Sequence, residues 1–316
     1  MATNQTAIAV RNLRKSYGSQ LVLDGIDLDV PEGSVYALLG PNGSGKTTTV
    51  QILSTYLAMD GGEVRIAGHD LVKEPAAVRA AIGVTGQFSA VDSLLTGEEN
   101  LRLMTKLYHL GPQEGRRKTA ELLERFDLVD AAKKLAATYS GGMKRRLDLA
   151  MSLVGTPRII FLDEPTTGLD PRSRKTMWEI IRELLGEGVT IFLTTQYLDE
   201  ADELADKIGV LDQGKLVAEG TVTELKRRIP GGHVRLQFAD SGLLSSAALT
   251  FQGSIRDEEA LTLTVPSDGS VRSLRTLLDR LDNEAIAVEN LTVQMPNLDD
   301  VFFALTGTSK NLKGGE

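Results

Sequence analysis

Apolar positions along the 316-residue chain fall into runs of different period. Short, nearly continuous runs of β-branched, aliphatic and aromatic residues recur at 34–40 (SVYALLG), 159–164 (IIFLDE), 189–195 (VTIFLTT) and 207–214 (KIGVLDQG). Such runs predict strands buried on both faces of a largely parallel sheet. Ahead of them, AIAVRNL and LVLDGIDLDV alternate apolar with polar residues and predict antiparallel strands, with residues 31–33 (PEG) as a turn. From Thr96 to about Ala137 the period is helical throughout, opened by TGEE, where Thr96 caps the helix and Glu99 completes a capping box. The expected class is α/β, a mostly parallel core sheet with an antiparallel β subdomain and a helical insertion over about residues 96–155.

A break at 227–233 (RRIPGGH) separates a second region. There, short strands at 234–238, 261–265 and 287–294 surround one helix, 271–281, and a final short helix starts near Leu298. The pattern predicts a main domain over residues 1–228, a small C-terminal α+β domain over 233–307 and a flexible tail over 308–316.

Composition changes this picture mainly by exclusion. Apolar residues at 41% and charged residues at 25% are those of an ordinary globular protein. The chain has no apolar run of eighteen residues or more, so no membrane span is expected. The opening MATNQTAIAV lacks the features of a signal peptide, which points to the cytosol. The absence of cysteine removes disulfides, thiolate metal sites and cysteine nucleophiles. A net charge of −8 argues against nucleic acid as a non-specific partner.

Chemistry concentrates in three segments. GPNGSGKT (40–47) follows a predicted strand and opens a helix, the setting a phosphate-binding loop needs. Its glycines let backbone N–H groups converge on phosphates, and the helix N-terminus adds partial positive charge. Lys46 would reach the β- and γ-phosphates and the Thr47 hydroxyl would ligate Mg²⁺. A glycine turn with a stray lysine is the plainer alternative. IIFLDEPTTGLD (159–170) ends an apolar strand in two carboxylates, which are costly there without partners. Asp163 would hold Mg²⁺ and Glu164 would be the general base for an attacking water; alternatively the pair caps the following turn. YSGGMKRRLDLAMSLV (139–154) places Ser140 as an N-cap, with Met143, Leu147, Ala150 and Val154 at helical spacing. Gly141 and Gly142 leave bare N–H groups there, a second anion site, although an ordinary capped helix has the same pattern. The basic run Lys144, Arg145 and Arg146 is expected to be a solvated face.

Phosphate loop, SGGM helix, and LDEP followed by TTGLD, in this order, resemble the nucleotide-binding subunit of an ABC transporter over about residues 5–225. The family's short signature usually reads LSGGQ; Tyr139 and Met143 depart from it. The resemblance implies a P-loop NTPase fold with ATP and Mg²⁺ as cofactors, the nucleotide being held by Gly40, Pro41, Asn42, Gly43, Ser44, Gly45, Lys46, Thr47 and Thr48. It implies that Tyr17 stacks on adenine, although alone it reads as a turn aromatic, and that Gln87 joins Thr47 and Asp163 near the metal. Two copies would pair head to tail, the Ser140, Gly141 and Gly142 helix of one facing the phosphate loop of the other, with Asp170 between subunits. The family usually has histidine where this chain has Gln196, a group that can donate and accept hydrogen bonds but carries no charge. Glu164, Gln196 and Lys46 are thus the expected catalytic set, with Gln196 able only to position; capping of the next helix is its plainer role.

TTQYLDEADE and LDDVFFALTG are further similar to the daunorubicin-resistance type of ATPase from bacterial multidrug and antibiotic exporters. That implies a peripheral protein on the cytoplasmic face of the membrane, working as a homodimer with a separate transmembrane permease that selects the substrate. Val301, Phe302 and Leu305 share a helical face, which favours packing in the C-terminal domain's own core over a role in pairing. An ABC ATPase acting on ribosomes or DNA is the alternative, but its two-cassette or coiled-coil forms are not seen; importer and lipid-exporter subunits carry the same motifs.

Overall fold

The computed structural model describes residues 5–87, 89–227, 232–294, 298 and 300–302. The chain divides into two compact units between Thr221 and Val222.

The first unit opens with two long strands, β1 (Thr6–Tyr17) and β2 (Gln20–Pro31), paired antiparallel from Tyr17 opposite Gln20 to Thr6 opposite Pro31. Strand β3 (Val35–Leu39) is buried at every residue and runs into α1 (Lys46–Leu53). Next come β4 (Gly61–Ile66), β5 (His69–Asp70), α2 (Pro75–Ala81) and β6 (Ile82–Thr85). Helices α3 (Gly97–Leu107), α4 (Pro112–Arg125) and α5 (Gly141–Ser152) precede β7 (Ile159–Asp163). The unit closes with α6 (Pro171–Gly186), β8 (Thr190–Thr195), α7 (Leu198–Leu204), β9 (Lys207–Asp212) and β10 (Lys215–Gly220).

These strands form an antiparallel sheet, ordered β2-β1-β4-β5, and a six-stranded sheet, ordered β10-β9-β3-β8-β7-β6. In the larger sheet only the β9–β10 pairing is antiparallel. One apolar core serves both sheets: Ile8, Leu28 and Ile66 share it with Tyr36, Phe161 and Phe192. Tyr36 stacks on Phe192 at 5.4 Å between ring centroids, and its hydroxyl donates to Glu219 Oε1, so the buried phenol is satisfied.

The helical insertion is not continuous. Its start has the expected capping box, Thr96 accepting from Glu99 N while the Glu99 carboxylate accepts from Thr96 N. The chain then breaks at His109, which has a φ of +57°, and Pro112 starts a new helix at its first turn, where a missing N–H is harmless. After Phe126 the chain makes only two 3-10 turns, at Val129–Ala131 and Ala136–Thr138.

The second unit comprises α8 (Val222–Arg227), β11 (His233–Gln237), α9 (Ser241–Thr250), β12 (Ile255–Asp257), β13 (Thr262–Pro266), α10 (Val271–Asn283) and β14 (Asn290–Gln294). The boundary thus lies before residue 228, because α8 groups with this unit. Its sheet is ordered β12-β13-β11-β14 with every pairing antiparallel. Helix α9 joins α10 beside the sheet and goes beyond the pattern's expectation, because SGLLSSAALT has no apolar stripe, although Asp240 caps it through the N–H groups of Gly242 and Leu243. Val234, Leu236, Phe251, Leu263, Leu277 and Leu281 are among the residues of its core. Leu298 and Val301 are buried and Phe302 is half-buried; Leu305 and the tail from residue 308 lie outside the described residues. Among the described residues no helix is long and apolar enough to cross a membrane.

Candidate functional site

The loop from Gly40 to Gly45 joins β3 to α1. Gly40 N donates to Thr195 O at the end of β8, which pins the loop against the neighbouring strand. Gly45 carries a φ of +109°, and a Cβ there would lie 2.6 Å from the Leu23 side chain, so only glycine fits the turn into α1. No side chain caps α1 and its first turn has no acidic residue, leaving its N–H groups to an outside acceptor. Ser44 Oγ is buried without a hydrogen-bond partner at the same place. An orphaned hydroxyl beside bare N–H groups at a helix N-terminus fits an anion such as a nucleotide phosphate. Asn42 and Gly43 are exposed, Pro41, Thr47 and Thr48 half-buried.

Lys46 is buried at the head of α1. Its ammonium donates to the carbonyls of Gly40 at 2.9 Å and Pro41 at 3.1 Å and lies 3.5 Å from Glu164 Oε1. Burial pulls its pKa down, opposed by Glu164 and Asp163. Asp163, at the end of β7, has its Oδ1 fixed from two sides, by Thr194 Oγ1 at 2.5 Å and Thr47 Oγ1 at 3.3 Å. Glu164 follows at a φ of +49°, a conformation uncommon for a side-chain-bearing residue. Thr194 holds it there, accepting from Glu164 N through both its carbonyl and its hydroxyl at 3.1 Å. Thr194 goes beyond the sequence reading; the available signal is a pair of buried threonines closing the apolar run of β8.

Gln196 directly follows β8 and is half-buried. It does not cap α7: the N-cap position is Tyr197, with no side-chain cap bond. Glu200, on the acidic helix that follows, is fully buried and accepts from Trp178 Nε1 at 3.3 Å. Tyr17 ends β1 about half exposed, with Lys15 Nζ 5.8 Å from its ring centroid. Gln87 is exposed in the loop after β6.

Ser140 caps α5, its hydroxyl accepting from Met143 N at 3.2 Å. Gly142 packs against α6: a Cβ there would lie 2.6 Å from Ser173 Oγ. Ser173 in turn donates to Asp170 Oδ2, while Asp170 Oδ1 caps α6 through the N–H groups of Arg172 and Ser173. No hydrogen bond or ion pair among the described residues joins residues 140–142 to residues 40–48. Tyr139 is buried, donates to Ala131 O at 2.7 Å, and fills the space that a Cβ on Gly97 would need.

The basic run is not a solvated face: Arg146 is mostly covered and donates to Phe126 O, and Arg145 is only 7% exposed. It lies on the inner side of α5 and donates to three carbonyls, Gly86 at 2.6 Å and Asp163 and Pro165 at 2.9 Å each. Burial lowers its pKa, against the charges of Asp148, Asp163 and Glu200. Three backbone acceptors explain why a guanidinium is tolerated there.

Comparison with known proteins agrees with this geometry. Residues 23–167 match the family model described as ABC transporter. The chain is 46% identical over 310 residues to a daunorubicin resistance ATP-binding protein of Streptomyces coeruleorubidus, covering 98% of both chains. It is 43% identical over 316 residues to a doxorubicin resistance ATP-binding protein of Mycobacterium tuberculosis, covering 97% of this chain and 95% of the relative. The dimeric structure of an ATP-binding cassette in a post-hydrolysis state, bound to ADP and phosphate, superposes with a TM-score of 0.63 at 26% identity, covering 68% of this chain and 98% of the other. This chain belongs to the ABC transporter family as an ATP-hydrolysing subunit of the daunorubicin-resistance type.

Proposed function

We propose that the chain powers export of a drug, antibiotic or other hydrophobic compound through a separate membrane-spanning permease, on the cytoplasmic side of the membrane. The carrying observation is the meeting of Lys46, Thr47, Asp163 and Glu164 at the uncapped N-terminus of α1. Nucleotide phosphates accept there from the loop N–H groups, Ser44 Oγ and Lys46, and adenine rests on the exposed Tyr17 ring. Thr47 and Asp163 would hold Mg²⁺, with Gln87 close by; an ion that keeps waters and takes one carboxylate plus phosphate oxygens suits so sparse a donor set. When bound, such an ion would supply charge neutralisation to the phosphates. Glu164 takes the proton of the attacking water, and Gln196 orients that water or the γ-phosphate as a neutral donor and acceptor.

Two copies of the chain complete each site. Ser140, Gly141 and Gly142 would serve a second copy; a solved ATP-binding cassette similar to this chain is itself dimeric. Asp170, at the start of α6 behind Gly142, would stand at that interface. The export reading draws on the full-length similarity to drug-resistance ATP-binding proteins, which spans both units.

The test is affinity purification of tagged Glu164→Gln chain, with ATP, from detergent-solubilised membranes of the native host. A polytopic membrane protein recovered in comparable amount supports export, and its deletion should sensitise the host to the exported compound. Recovery of ribosomal or DNA-bound proteins in its place overturns it.

A further inference from the structure

The Gln87 loop is held at both ends by one helix. At its start, Gly86 O accepts from Arg145 Nη1 at 2.6 Å; at its end, Ala90 N donates to Asp148 Oδ1 at 3.1 Å. Arg145 and Asp148 stand one turn apart on α5, 3.6 Å from each other, and both are nearly buried. Arg145 Nη2 and Nε donate to Asp163 O and Pro165 O, the carbonyls on either side of Glu164. A single guanidinium thus fixes the backbone flanking Glu164 and the backbone preceding Gln87, from the helix whose N-cap is Ser140.

We infer that Arg145 and Asp148 are positioning residues for ATP hydrolysis, a two-point clamp through which α5 sets the Gln87 loop and the Glu164 turn together. The inference rests on the reading of Gln87 and Glu164 given above, and it adds a physical link between them. Guanidinium is suited to the task because its donors are fixed in one plane. When α5 shifts as its N-terminus engages an anion, both carbonyl anchors shift with it. Lysine at 145 keeps the charge facing Asp148 but brings one nitrogen to three carbonyls, so it cannot hold both segments in register.

The natural lack of cysteine allows a single nitroxide at Ser89→Cys, an exposed position between the two anchors. In the nucleotide-free chain, spin-label mobility should rise roughly twofold or more with Arg145→Met and with Asp148→Ala, because each releases one end of the loop. With saturating ATP and Mg²⁺, kcat should fall about tenfold or more in Arg145→Met while KM for ATP changes less than about twofold. Arg145→Lys should restore thermal stability but not kcat. Label mobility unchanged in both Arg145→Met and Asp148→Ala overturns the clamp, as does a KM that rises in step with a falling kcat. If Arg145→Met fails to fold, Asp148→Ala alone decides the mobility result. That measurement needs no nucleotide, so it stands or falls separately from the ATPase reading.

Discussion

Lys46 Nζ sits 3.5 Å from Glu164 Oε1, with the two side chains only 4% and 8% exposed. The ammonium also donates to Gly40 O and Pro41 O, so two hydrogen bonds and an ion pair surround it. A γ-phosphate reaching Lys46 would compete first with the Glu164 ion pair, the longest of these contacts. With Glu164 proposed as the base, displacing it would free that base as the nucleotide binds.

Lys46→Met should therefore weaken ATP binding about tenfold to a hundredfold, the worth of a hydrogen bond to a charged group. Isothermal titration of the purified chain measures it. An unchanged affinity would show that Lys46 stays with its own loop.

Glu164→Gln keeps the shape of the side chain and removes its basicity. ATP should still bind, while turnover falls by about 10²–10⁴, the range for loss of a positioned base. Two copies should then stay together around unspent ATP, doubling the mass seen by light scattering. A chain that remained monomeric under saturating ATP and Mg²⁺ would count heavily against the paired-site reading.

Gln196 has no proton to lose in the working range, so position 196 contributes no limb to the pH–rate profile. Gln196→Ala should slow turnover, and Gln196→His should be tolerated but add a limb near an ordinary histidine pKa of about 6.5. A wild-type chain without activity, with turnover gained only in the histidine variant, would refute the positioning role.

Asp148 predicts a pH dependence of stability. Burial raises its pKa to about 6, opposed by the Ala90 N–H bond and by Arg145. A carboxyl raised above its unfolded value favours the folded chain most at low pH, and that contribution is lost as pH climbs through about 6. Asp148→Asn can still accept from Ala90 N but has no charge to bury. Its advantage in thermal stability over the parent should be absent near pH 4, grow towards pH 6 and level off above, reaching on the order of 2–3 kcal/mol. Melting curves across that range would expose an opposite slope.

The sheet strands and the phosphate loop were legible because their patterns are local: apolar runs of strand length, and glycines before a lysine at a helix start. Legibility failed where a residue's role depends on what crosses it in space. Arg145 belongs to a run of three basic residues, and only packing against Gly86, Asp163 and Pro165 turns it inward. Thr194 looks like one more strand residue until β7 is laid beside β8. The break at His109 was written locally, in the Gly-Pro that follows it, and the helical period overrode the sign. In the second unit, the serines and alanines of α9 carry no stripe, so its helix follows from the Asp240 cap and the sheet it covers.

The strand order β3-β8-β7 has a further consequence. The loop leading to Lys46 leaves β3 and the carboxylates leave β7, so the strands that carry them lie two inter-strand gaps apart, each about 4.8 Å, and the side chains close that distance to 3.5 Å. Thr194, on the strand between, fills that gap with a hydroxyl. The distance those side chains have to bridge is therefore a dimension of the peptide backbone, set before any side chain is chosen.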